Sequence, residues 1–125
     1  MSKQATPKIN DKVYVINAFK GLEGWSYLPR LTKYVFPFVT FMFNAEQTEE
    51  DLIGQITQLL SGENAKEVEK LILELVAKVQ VDGSTIDPDS EFQQNYDALF
   101  LLVVEVIKLN YYDSFQRLVM NLPKG

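Results

Sequence analysis

A chain of 125 residues is long enough for one domain with its own core, and 46% hydrophobic against 23% charged residues argues against disorder. It contains no histidine and no cysteine, which removes the usual residues of acid–base, thiol and zinc chemistry and excludes disulfides. Its net charge of −5, with no basic stripe, sets it against phosphate backbones, so nucleic acid is not expected as a partner.

Residues 1–12 are polar and read as a flexible arm, ahead of a single domain over residues 13–122 and a tail at 123–125. The first residues lack the apolar run of a signal peptide, so a soluble, cytoplasmic protein is expected. Val13-Tyr14-Val15-Ile16 is β-prone and predicts a short extended segment, which Lys20-Gly21-Leu22-Glu23-Gly24 then ends. From Trp25 to Phe43 the chain is rich in aromatics and nearly long enough to span a bilayer. Arg30, Lys33, Pro29 and Pro37 interrupt it, however, and no membrane span is expected. Each proline lacks a backbone donor, so short helices are predicted to start near Pro29 and Pro37.

Thr48 predicts a helix start, with Glu49, Glu50 and Asp51 in the positive first turn. Leu52, Ile53, Ile56, Leu59 and Leu60 recur at helical spacing and Gly62 marks a stop. Asn64 and Glu67 have the spacing of a looser capping box, and Val68, Leu71, Ile72, Leu75, Val76 and Val79 follow as an apolar stripe. Together these segments predict a helical hairpin. Around Asp82-Gly83, the alternating stretch 79–86 predicts a small β-turn or ribbon. Asp87-Pro88 is a cap followed by a first-turn proline, opening a long helix to about Leu109. Asn110-Tyr111-Tyr112 interrupts that pattern, and Ser114–Leu122 predicts a last short helix. The expected fold class is all-α, with about five helices and minor extended pieces.

Chemistry has little to stand on. Asp82, Asp87, Asp89 and Glu91 cluster as hard-cation ligands would, but Phe92 stands where a calcium loop of the EF-hand type needs glycine. A turn and a helix start, where acids complement the dipole, account for these acids better. Ser26, Ser84 and Ser114 have no histidine to activate them, and Gly21-Leu22-Glu23-Gly24 lacks the lysine of a phosphate loop. The expectation is a non-enzymatic binding protein without metal, cofactor or small-molecule substrate.

Two apolar blocks, 35–43 and 98–107, exceed what one small core requires. On a helical wheel, Leu101 and Val104 fall within the polar arc of Gln93, Gln94, Asp97, Glu105 and Lys108. They read either as isolated surface apolars or as a contact face for another subunit or an apolar client helix. Of Trp25, Tyr27, Tyr34, Phe36, Phe38, Phe41 and Phe43, two or three are expected to face a partner. The candidate partner-binding residues are Trp25, Leu28, Phe36, Phe38, Phe41, Leu101 and Val104.

Three stretches carry a family resemblance. They are Gly21-Leu22-Glu23-Gly24-Trp25-Ser26-Tyr27-Leu28-Pro29, then Val81-Asp82-Gly83 with Ile86-Asp87 before the segment 91–99, then the segment 107–115 with Asn110, Tyr111 and Phe115. Together they resemble the tail assembly chaperones of long-tailed bacteriophages. The resemblance implies a small helical protein that coats the tape measure protein, helps recruit tail tube subunits, self-associates, works in the host cytoplasm and is absent from the mature particle. The competing expectations are a structural component that stays in the particle, at the head–tail junction or baseplate, and a small regulatory or immunity-type binding protein.

Overall fold

The structure, a computed structural model, describes residues 3–35 and 48–120. In chain order it holds β1 (Gln4–Ala5), β2 (Lys8–Ile9), β3 (Lys12–Asn17), α1 (Gly21–Arg30), a π-helical segment (Leu31–Val35), α2 (Glu49–Ser61) and α3 (Ala65–Val76). β4 (Gln80–Val81), β5 (Ser84–Thr85), α4 (Pro88–Glu91) and α5 (Tyr96–Met120) complete it.

Helices dominate, yet the fold is not all-α. Five antiparallel strands form a sheet of order β1-β3-β4-β5, with β2 also paired on β3. The correction comes from residues 3–17, where a tight reversal goes unnoticed if the segment is read as polar arm. Asn10 and Asp11, at φ 51° and 66°, make the two-residue turn that pairs Ile9 with Lys12. Asp82 and Gly83, at φ 53° and 81°, do the same between β4 and β5. The ribbon read at 79–86 is thus a sheet edge, joined to β3 through Tyr14–Val81 and Val15–Gln80. Along β3, Tyr14 and Ile16 point inward and their neighbours outward, as the two-residue period of a strand requires.

Local chemistry explains the helical hairpin. Thr48 and Asp51 form a reciprocal capping box, the Asp51 amide donating to Thr48 Oγ1 at 3.1 Å and the Thr48 amide to Asp51 Oδ2 at 3.3 Å. Gly62 ends α2, whereas Asn64 starts α3 without a side-chain cap. α2 buries Leu52 and Ile56, and α3 buries Val68, Leu71, Ile72, Leu75 and Val76.

The hairpin covers one side of α5, and β1 and β2 also contact that helix. From Leu101 to Ile107, every residue of α5 except Glu105 is buried. Leu101 and Val104 are 8% and 1% exposed, so the polar arc assigned to them is corrected. The wheel presumed one covered face, and this helix is covered on more than one.

Three helix boundaries also differ from the sequence reading. Asp87 caps α4 through the Asp89 amide at 3.2 Å, but the helix stops after Glu91, and Gln94, at φ 58°, redirects the chain into α5. α5 then runs unbroken through Asn110-Tyr111-Tyr112. Pro29 lies inside the last turn of α1 rather than at a helix start, and the chain continues from it as the wider π-helical segment. Pro37 lies outside the described residues. No helix among the described residues is long and apolar enough to cross a membrane.

The acids at 82–91 serve the fold. Glu91 accepts from the Tyr14 hydroxyl at 2.7 Å and from Lys12 at 3.1 Å, tying α4 to β3. The Tyr14 hydrogen bond, joined by Lys12, holds the Glu91 carboxyl below the usual glutamate range despite its burial. This contribution is complete above the ordinary glutamate value and is lost as pH falls through the lowered one. Glu91→Gln is therefore expected to cost about 1–2 kcal/mol at neutral pH and progressively less in acid. Denaturation measured across the acid range tests this, and a gap between variant and parent that is independent of pH would refute it.

Candidate functional site

α1 is amphipathic but shallowly seated, with no fully buried residue. At 100° per residue, Leu22, Trp25 and Pro29 share one face. Leu22 is 85% and Trp25 69% exposed, so two large apolar side chains stand in solvent three residues apart. Beside them, α1 and the C-terminal half of α5 enclose an open groove of about 750 Å³. Gly24, Trp25, Leu28, Pro29 and Thr32 line one wall, Asn110, Tyr111 and Ser114 the other, with Phe19, Lys20 and Lys33 at the ends.

Specific polar contacts hold the walls together. Asn110 donates to the Val106 carbonyl at 2.9 Å and accepts from the Phe19 amide at 2.7 Å. That back-bond keeps the side chain's polar atoms satisfied within a continuing helix, so Asn110 joins two elements instead of ending one. Tyr111 donates from its hydroxyl to the Gly24 carbonyl at 2.8 Å. Burial raises the Tyr111 hydroxyl above the ordinary tyrosine range, which preserves it as a donor. A Cβ added at Gly24 would sit 3.6 Å from Phe19 Cβ and 3.8 Å from the Tyr111 hydroxyl oxygen, ordinary van der Waals contact, so it is the Gly24 carbonyl and not the missing side chain that the groove uses.

Behind the exposed face, Glu23 pairs with Lys78 and Arg30 with Glu74. The bond from Arg30 lowers the Glu74 carboxyl below its usual range. The Tyr27 ring lies 5.1 Å from that of Phe19, and the Arg30 guanidinium sits 5.4 Å from the Tyr27 ring centre. Exposed ion pairs contribute about 0–1 kcal/mol each, less than one fully buried aliphatic side chain. α1 is therefore the lightly held element of the fold, and the Asn110 and Tyr111 bonds fix where it sits.

Of the residues singled out from sequence, Trp25 and Leu28 come together in this groove. Leu101 and Val104 lie in the core, away from it. Phe36, Phe38 and Phe41 lie outside the described residues. Sequence reasoning missed Leu22 as an exposed neighbour of Trp25, and it missed Asn110 and Gly24 as parts of the groove. It also missed a second apolar hollow, about 410 Å³, lined by Leu73, Pro88, Asp89, Phe92, Tyr96 and Leu99. Leu73 and Tyr96 are 41% and 64% exposed there. Leu73 falls off the apolar stripe of α3, which was the available signal. No group of three or more metal-ligating side chains that could hold an ion is assembled among the described residues.

A family model described as phage tail assembly chaperone protein, TAC, matches residues 10–123. No curated protein and no solved structure matches the chain.

Asn110→Ala is expected to strand the Phe19 amide and cost about 1–3 kcal/mol. Asn110→Asp keeps the acceptor and should recover part of that loss. Thermal unfolding of both variants checks this, and an alanine variant as stable as the parent would show that the Asn110 bond does not hold α1.

Proposed function

The chain belongs to the phage tail assembly chaperone family, and we propose that it binds and solubilises the tape measure protein and helps recruit tail tube subunits around it. The single observation that best supports this reading is the α1–α5 groove, where Leu22 and Trp25 stand in solvent beside an apolar floor. Soluble proteins seldom leave an indole and a leucine side by side in water unless a partner covers them.

A tape measure is a very long helical chain with apolar stretches that aggregate when bare. A helix from such a chain can lay its apolar side in a groove of this kind, and burial of aromatic area then supplies most of the affinity. The task needs no catalysis. It needs surface that binds during assembly and releases afterwards, which a lightly held α1 favours. The Tyr96 hollow lies roughly 22 Å from Tyr111 along α5, counting 1.5 Å per residue, and offers a separate surface for the second contact that tube recruitment requires. In this reading copies of the chain associate with one another, work in the host cytoplasm and leave before the particle is complete.

Co-expression tests the reading. The tape measure protein should stay soluble with the parent chain and precipitate without it. Trp25→Ala should cost about 2 kcal/mol or more of binding while leaving the fold stable, since its side chain is mostly in solvent. A tape measure equally soluble alone would refute the proposal, and finding the chain in purified particles would point to a structural component instead.

A further inference from the structure

Resting on the reading of the groove as a client site, we infer that its occupant is an amphipathic helix carrying acidic residues at both ends of its apolar face. The charge of the groove opposes that of the chain. The protein carries a net −5, yet the described residues lining the groove include Lys20 and Lys33 and no carboxylate. Nearby acids are already committed: Glu23 to Lys78, and Asp113 to Lys3 at 2.6 Å. Neither Lys20 nor Lys33 has an ion-pair partner among the described residues.

The two lysines mark the two ends. Lys20 occupies the N-cap of α1 and provides no side-chain cap, and Gly21 lines the groove beside it. A cation at the positive end of a helix is unfavourable by itself, and a partner's carboxylate placed there would relieve both the lysine and the uncapped amides. Lys33 stands on the π-helical segment past the other end of α1, its amine 5.2 Å from the Tyr34 ring centre. The two positions are thirteen apart along α1 and the π-helical segment, roughly 20 Å at about 1.5 Å per residue. An apolar helix face flanked by acids at that separation meets both lysines while its middle lies on Trp25 and Leu28. The rest of the acidic surface repels the same acids, so the charges fix where such a helix can bind.

The test measures binding of labelled synthetic peptides to the full chain by fluorescence anisotropy. One peptide is an amphipathic helix of about 20 residues with Leu and Phe along one face and Glu at both ends, and its counterpart carries Lys in place of Glu. The acid-ended peptide is expected to bind at least about tenfold tighter at low salt, with the difference shrinking as salt is added. The double variant Lys20→Glu, Lys33→Glu changes two exposed side chains and should invert the preference. Equal affinities, no inversion, or no binding of either peptide would overturn the inference. A chain that still keeps the tape measure soluble through Trp25 while showing no charge preference would overturn this inference alone. Failure to keep the tape measure soluble would overturn the chaperone reading itself.

Discussion

A helix that is apolar on every side must be covered on every side, and this fold is arranged around that constraint. From Leu101 to Ile107, only Glu105 escapes burial. One amphipathic partner cannot cover such a helix, because an apolar stripe shields only the face it lies against. The α2–α3 hairpin supplies one cover, and the strands at the start of the chain supply another. The small sheet is thus more than ornament. Two-residue strands are weak alone, yet β3 pairs with three of them and β5 joins through β4, and the inward Tyr14 and Ile16 of β3 enter the core.

The same constraint explains why α1 is left partly exposed. Its contacts to the C-terminal half of α5 run through Asn110 and Tyr111, and to α3 and the turn after it through ion pairs at Glu74 and Lys78. Polar ties define position without burying much area. The face bearing Leu22, Trp25 and Pro29 is consequently free to meet another chain. In the function proposed above the chain holds apolar client surface and later gives it up, and a modestly anchored helix beside an apolar floor suits such reversible contact.

Much of this was legible where the cause is local. The Thr48–Asp51 box, the Gly62 stop, the Asp82-Gly83 reversal and the Asp87 cap depend on neighbours a few residues away, and each stands at its sequence position. What could not be read depends on distant neighbours. The polarity of residues 3–12 hides Asn10-Asp11, which becomes a turn signal only with β3 beside it. Leu101 and Val104 were misplaced because a wheel knows one helix and not what surrounds it. Asn110 looked like a breaker, but its side chain serves both the Val106 carbonyl and the Phe19 amide, a residue 91 positions away. For the candidate site, aromatic content pointed to Trp25 but gave no sign of Gly24 or Lys20, whose roles arise where α1 meets α5.

The central claim is that the α1 face at Trp25 is the surface on which a client helix settles. Trp25 is the chain's single tryptophan, so its emission reports on that surface alone when the client segment contains no tryptophan. Free protein should show the red-shifted, readily quenched emission of an indole that is 69% exposed. Bound to a tryptophan-free segment of the tape measure protein, the emission should move to shorter wavelength and become protected from a soluble quencher. Emission and quenching that stay unchanged in a complex shown to have formed would contradict the account.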